Sequence, residues 1–285
     1  MPSNGVVATG VVAHVPTLSR AEITPEYQST LVSGERLLGE KLRALKPELW
    51  VIISTHWVST FNWFTTMQAE HRGVCIAEEA PDLIPGVSYH ARGDEEFAEA
   101  LIDSWRQKNI PSQINKTPHF AWDYGTYVPL SHIDPDFEIP VLSVPVVLMA
   151  DMKECFAAGA AIYETAKKLE RRTVILASSA FSHALVRGRE HWPSDERIDL
   201  DRKILSQLQN GEIESVTDGF ESYAKASVVE MGGRAIATML GATLELKRDE
   251  GSLAGLNFGE YAQSSGSGNM NIILSNPDLI NTLKS

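Results

Sequence analysis

The chain has 285 residues, 43% of them hydrophobic and 22% charged, which suits a globular protein with a sizeable core and excludes a disordered or fibrous one. Lys and Arg number 25 against 37 Asp and Glu, for a net charge of -12. So acidic a surface repels phosphate backbones and anionic lipid, which argues against nucleic-acid and membrane partners.

The first predicted element, Gly5 to Ala13, is small and β-branched and reads as a buried strand. Thr24-Pro25-Glu26 reads as a helix start, with Thr24 as N-cap, and the helix runs to about Leu45 with Leu31, Leu38, Leu42 and Leu45 on one face. Leu49 to Ser54 is wholly apolar up to its last residue, as expected of a strand covered on both faces. Asn62 to Gln68 is a weaker strand. Asp94 caps a helix to about Lys108.

Val141 to Val147 is another buried strand, and Asp151 to Glu154 resembles a capping box for a helix reaching Leu169. Thr173 to Ala177 is the next strand. Helical patterns cover Glu196 to Gln209 and Ser227 to Leu240. Gly251 to Gly268 reads as loop and short strand, and Met270 to Leu274 as a late strand. Strands alternating with helices predict an α/β fold: one domain over 1–285, with a mainly parallel central sheet flanked by helices.

Cys75 and Cys155 lie far apart and make neither a CxxC pair nor a zinc-finger spacing, which fits a reducing cytoplasm. The start, MPSNGVVATG, lacks the pattern of a signal peptide. The most apolar run, Ile139 to Ala150, contains Pro140 and Pro145 and is about half the roughly 20 residues a membrane helix needs.

Three histidines share a setting: His14, His56 and His183 each follow a predicted buried strand. In open α/β sheets, ligand sites lie beyond the carboxyl ends of the strands, where loops converge. Each taken singly is more simply structural; three at equivalent strand exits suggest a site. Two imidazoles and a carboxylate form the facial triad of non-haem Fe(II) oxygen chemistry. Glu230 stands out among the acids as the lone one in VVEMGG, although a first-turn glutamate favoured by the helix dipole reads the same way.

AHVPTL at 13–18, STHW at 54–57, DYGTYVPL at 123–130, ASSAFSH at 177–183, EMGG at 230–233 and SSGSGNMN at 264–271 occur in order. Together they resemble the class III extradiol ring-cleaving dioxygenases, of the protocatechuate 4,5-dioxygenase catalytic-subunit type. Tyr124 before Gly125 is similar to the 3,4-dihydroxyphenylacetate 2,3-dioxygenase branch. The resemblance implies His14, His56 and Glu230 as ligands of Fe(II), and His183 as the acid/base histidine beside them. It implies that His119, Tyr124 and Thr126 line the substrate pocket. It also implies O2 and a small aromatic as reactants, and a homo-oligomer.

A substituted catechol such as 3,4-dihydroxyphenylacetate leads among expected substrates, with o-aminophenols and dihydroxypyridines or hydroxypyridones as alternatives. Arg187 and Arg189 could supply a positive field for an anionic ring. Trp57, Phe61, Trp63 and Phe64 read first as packing and secondly as an aromatic wall. His71, His90, His132 and His191 read as surface or structural. A zinc hydrolase is weakened by the lack of an HExxH motif, and a non-catalytic binding protein is the third reading.

Overall fold

The computed structural model describes residues 5–284. Along them run β1 (Val6–Val12), α1 (Ser29–Ala44), β2 (Leu49–Ser59), β3 (Trp63–Thr66), β4 (Glu70–Cys75), β5 (Val87–Arg92), α2 (Glu95–Gln107), β6 (Ser112–Asn115) and α3 (Tyr124–Ile133). There follow β7 (Val141–Val147), α4 (Met152–Lys168), β8 (Thr173–Ser178), α5 (Asp195–Gln209), α6 (Ile213–Ala226), α7 (Arg234–Glu250), β9 (Ala254–Ser264), β10 (Ser267–Ser275) and α8 (Pro277–Lys284).

Six strands form the central sheet in the order β7-β2-β8-β1-β10-β9. The pairs β7–β2, β2–β8 and β8–β1 are parallel, whereas β10 and β9 add an antiparallel edge. The fold is therefore α/β with a mostly parallel sheet, as expected. Alternation along the strands feeds two apolar layers. Val51 and Ile53 of β2 pack with α2, α4 and α7 on one face; Trp50 and Ile52 pack with α1 and α3 on the other. Covered on both faces, β1, β7 and β8 are buried at every position and are accordingly near-continuous apolar runs, interrupted only by the small polar residues Thr9, Ser143, Thr173 and Ser178.

Local signals set several boundaries. The Asp94 carboxylate accepts the Phe97 N–H, and Asp151 accepts the Glu154 N–H, so both caps form. The Glu154 side chain does not complete a capping box; it accepts the Trp63 indole N–H instead. Thr24 is no cap. Its hydroxyl donates to the Thr17 and Arg20 carbonyls, and α1 begins only at Ser29 after a 3-10 turn. The helix expected over Ser227 to Leu240 is broken: Ser227 ends α6, and α7 starts at Arg234. Gly251 to Gly268 contains a full strand, β9, joined to β10 by the two-residue turn Ser265-Gly266, both at positive φ. That is the geometry a tight hairpin requires.

Among the described residues, no helix is long and apolar enough to cross a membrane. Glu35 of α1 is fully buried, and neither carboxyl oxygen has a hydrogen-bond partner. Burial therefore holds its carboxyl protonated well above the usual carboxylate range, against a smaller pull from Arg36. The folded protein keeps a proton that the unfolded chain releases, so stability present at low pH is lost as pH rises through about 4.3 and upward. Glu35→Gln is expected to abolish that slope. Replacement by Leu, which leaves no unpaired polar atom, is expected to add about 1–3 kcal/mol at pH 7. Urea denaturation between pH 4 and 8 checks both.

Candidate metal centre

The strand order brings the carboxyl ends of β2, β8 and β1 side by side. His14 stands two residues past β1. His56 does not follow β2 but interrupts it: pairing to β7 runs through Ser54–Pro145 and resumes at Val58–Val146, so Thr55, His56 and Trp57 bulge out. The bulge aims the imidazole toward the site. His183 follows β8 on a segment whose backbone N–H donates to the Val228 carbonyl.

Glu230 arrives from the link between α6 and α7. Met231, Gly232 and Gly233 all hold positive φ there. A Cβ on Gly233 would also press on Phe220 and Ala224, at 2.9 and 3.0 Å, so the left-handed turn needs glycine twice over. The Glu230 side chain is buried, and its Oε2 accepts the Ala180 N–H at 2.7 Å.

Three donor atoms converge. Nε2 of His14 and Nε2 of His56 are 3.1 Å apart, and lie 3.3 and 3.4 Å from Glu230 Oε1. Nitrogen ligands about 2.1 Å from one ion and roughly at right angles sit about 3 Å apart, so the spacing fits a shared cation. The chemistry of the set fits as well: two imidazole lone pairs and a carboxylate face one point, and that arrangement is repulsive unless a proton or a metal lies between them. Among the described residues, this is the one group of His, Cys, Asp and Glu with metal-binding spacing.

His183 stands just outside the trio, with Nε2 at 3.7 Å from Glu230 Oε1. Burial lowers its pKa, and the Glu230 charge opposes this only in part. Burial also disfavours charge on His56, but the hydrogen bond to Glu230 and the charges of Glu230, Asp123 and Glu79 outweigh it and raise this imidazole. Burial would raise Glu230, yet His14, His56 and His183 hold it well below the usual carboxylate range. Glu79 Oε1 lies 3.3 Å from His56 Nδ1, the outer carboxylate that commonly fixes a metal-bound imidazole.

Tyr124 opens α3 beside the trio, its ring 3.9 Å from that of His56 between centroids. Burial, then the charges of Glu79 and Glu230, push its phenol far above the ordinary value, so it stays neutral. Asp123 caps α3 by accepting the Thr126 N–H and hydroxyl, and it also accepts the Ser54 hydroxyl of β2. A Cβ on Gly125 would lie 2.4 Å from Ser54 Oγ, so glycine is needed for this approach.

Two cavities meet here. One of about 300 Å³ is bordered by His14, His56, Tyr124, His183 and Arg189. The other, about 450 Å³, is lined by Trp57, Phe120, Trp122 and Glu78, and shares His56, Glu79 and Tyr124 with the first. Both are large enough for a single aromatic ring.

The other expected residues disperse. His119 is exposed on the loop before α3 and lines neither cavity, and Thr126 is buried in the α3 cap rather than on a cavity wall. Arg187 is exposed, whereas Arg189 borders the metal cavity and faces Asp82 at 3.5 Å. Trp57 forms a wall against Phe120, Trp63 sits in the core against Trp105, and Phe61 is exposed. His71 and His132 are buried, each bonded through Nε2 to a backbone carbonyl, and so are structural. Glu79 and Ser267 were missed as site residues; both border the metal cavity, and only neighbouring chain segments put them there.

A sequence profile described as the catalytic LigB subunit of aromatic ring-opening dioxygenase matches residues 9–261. The beta subunit of 2-aminophenol 1,6-dioxygenase from a Pseudomonas species is 25% identical over 261 residues, spanning 83% of this chain and 85% of that protein. The alpha subunit of 2-aminophenol 1,6-dioxygenase, also from Pseudomonas, is 26% identical over 239 residues, spanning 81% and 85%. The crystal structure of uncharacterized protein JW3007 from Escherichia coli K12 shares the fold, with a TM-score of 0.67 and 16% identity over 94% of this chain and 99% of that one.

Proposed function

The chain belongs to the family of the catalytic LigB subunit of aromatic ring-opening dioxygenases, and on that premise we propose that it opens the ring of an o-aminophenol or catechol, using Fe(II) held by His14, His56 and Glu230. The observation that carries this reading is the convergence of three donor atoms beside a ring-sized cavity. A ferrous ion, when bound, supplies electrons for O2 chemistry and adjacent positions for two substrate atoms.

The chain's own groups do the rest. Tyr124 and Trp57 wall the ring on its way to the centre. Glu79 orients the His56 imidazole, and the Ala180 N–H holds the far oxygen of Glu230. His183, next to the donor set but outside it, takes the substrate's hydroxyl proton at Nε2 and returns it during ring opening.

Among the described residues lining the two cavities, Arg189 is the only cation, and Asp82 already faces it; Glu78, Glu79 and Asp123 are the opposing acids. This field disfavours a ring carboxylate, so an uncharged o-aminophenol or catechol is preferred to 3,4-dihydroxyphenylacetate. The second reading, a catecholic acid, draws on Arg189 itself.

An oxygen-uptake panel of 2-aminophenol, catechol and 3,4-dihydroxyphenylacetate separates the two. Turnover of the uncharged rings, unaffected by Arg189→Ala, is the expected result. A preference for the acid that collapses in Arg189→Ala would establish the second reading. Bound zinc with hydrolytic turnover in air-free buffer would overturn both. A homo-oligomer and a cytoplasmic setting remain part of the proposal; light scattering of the purified chain tests the first.

A further inference from the structure

Asp201 of α5 is fully buried and accepts five hydrogen bonds. Its Oδ2 receives the Ser182 N–H at 3.0 Å, the Ser182 hydroxyl at 2.7 Å and the Tyr261 hydroxyl at 2.6 Å. Its Oδ1 receives the Tyr223 hydroxyl at 2.8 Å and the Ser227 hydroxyl at 2.6 Å. Among the described residues no cation lies within ion-pairing distance of it, so these donors alone offset the cost of burying the group.

Two of the donor residues sit at telling places. Ser182 immediately precedes His183, and Ser227 lies three residues before Glu230. The two segments meet in a short antiparallel bridge, with Ser182 opposite Val229 and the His183 N–H on the Val228 carbonyl. Asp201 ties both sides of that bridge to one side chain. The Glu230 side also carries Val228 and Met231 at positive φ, conformations that persist only where the surroundings over-determine them. Ser227 is the anchor on that side.

We infer that Asp201 is a positioning residue that sets the separation between the His183 imidazole and the Glu230 carboxylate through Ser182 and Ser227. Asp201 touches neither substrate nor metal, and the inference rests on the metal-centre reading. The two arms have different readouts. The Ser227 arm governs where Glu230 presents its oxygen, and hence metal affinity. The Ser182 arm governs where His183 stands, and hence turnover once metal is bound. Supporting hydrogen bonds of this kind are worth about 10–100-fold in metal affinity, and a displacement near 1 Å about 100-fold in rate.

The test uses the full chain, freed of metal, with Co(II) as the probe. The d–d absorption on Co(II) titration and kcat per bound Fe(II) are measured for wild type, Asp201→Asn, Ser227→Ala and Ser182→Ala. Asp201→Asn is expected to weaken Co(II) binding about 10–100-fold. It is also expected to change the d–d band and lower kcat per bound iron about 100-fold, with KM for the aromatic little changed. Ser227→Ala reproduces mainly the affinity loss, and Ser182→Ala mainly the loss in kcat. The serine variants carry the test if Asp201→Asn does not fold. Folded variants with lower thermal stability but wild-type Co(II) affinity, spectrum and kcat per iron overturn the inference and leave the metal centre standing. A wild-type chain that takes up no Co(II) overturns the metal-centre reading, and this inference with it.

Discussion

Iron is expected to be lost from His14→Ala and from His56→Ala, and ring-opening activity with it. Each variant removes one of two nitrogens that lie 3.1 Å apart and within 3.4 Å of Glu230 Oε1. Partners that merely orient a ligand are worth about 10–100-fold in metal affinity, so a direct donor is worth at least about 100-fold. Either variant leaves one imidazole and Glu230, two donors where three converge. The loss has a readout independent of turnover. A ligand that binds only the folded state stabilises it by mass action, by about 2.7 kcal/mol at 100 times its Kd. Fe(II) or Co(II) should therefore raise the Tm of the wild type and leave that of either variant unmoved. Full iron content and full oxygen uptake in both variants would show that the centre lies elsewhere.

His183→Gln is expected to separate chemistry from metal binding. Its Nε2 lies 3.7 Å from Glu230 Oε1 and outside the trio of donors. Glutamine keeps the bulk and a hydrogen-bonding end but cannot shuttle a proton. General acid–base groups contribute about 10²–10⁴-fold, so kcat should fall by that range while iron content holds. Anaerobic substrate titration should still show the aromatic binding. Unchanged kcat would remove His183 from the proton path; loss of iron would instead make it a ligand.

Asp94 and Asp151 as caps, and the buried strands β1, β7 and β8, were legible because each depends on neighbours within a few positions. Other elements were hidden. The run from Ser227 to Leu240 has continuous helical periodicity, yet the left-handed backbone at Met231 to Gly233 splits it. The Gly232-Gly233 pair was the local sign of that break. His56 reads as a residue after a strand, but β2 continues to Ser59, and the bulge around His56 exists only because β2 pairs with β7. His119, implied by resemblance, is exposed; its distance from the cavities depends on how the loop before α3 crosses the surface. Glu79 could not be picked out, since nothing near it in the chain marks an acid that meets an imidazole more than twenty positions away.

The alternation of strands and helices follows from periodicity alone, and with it the α/β class and the placing of His14 and His183 beyond strand ends. Periodicity is a property of adjacent residues, so it survives without a fold. Which strands lie side by side is a different matter. The order β7-β2-β8-β1 places β8 between the strand that bears His56 and the strand that leads to His14, although in the chain β8 follows both. That order comes from pairing between distant segments; together with the bridge between Ser182 and Val229 it brings Glu230, already marked in the sequence by its place in VVEMGG, within 3.4 Å of two imidazoles.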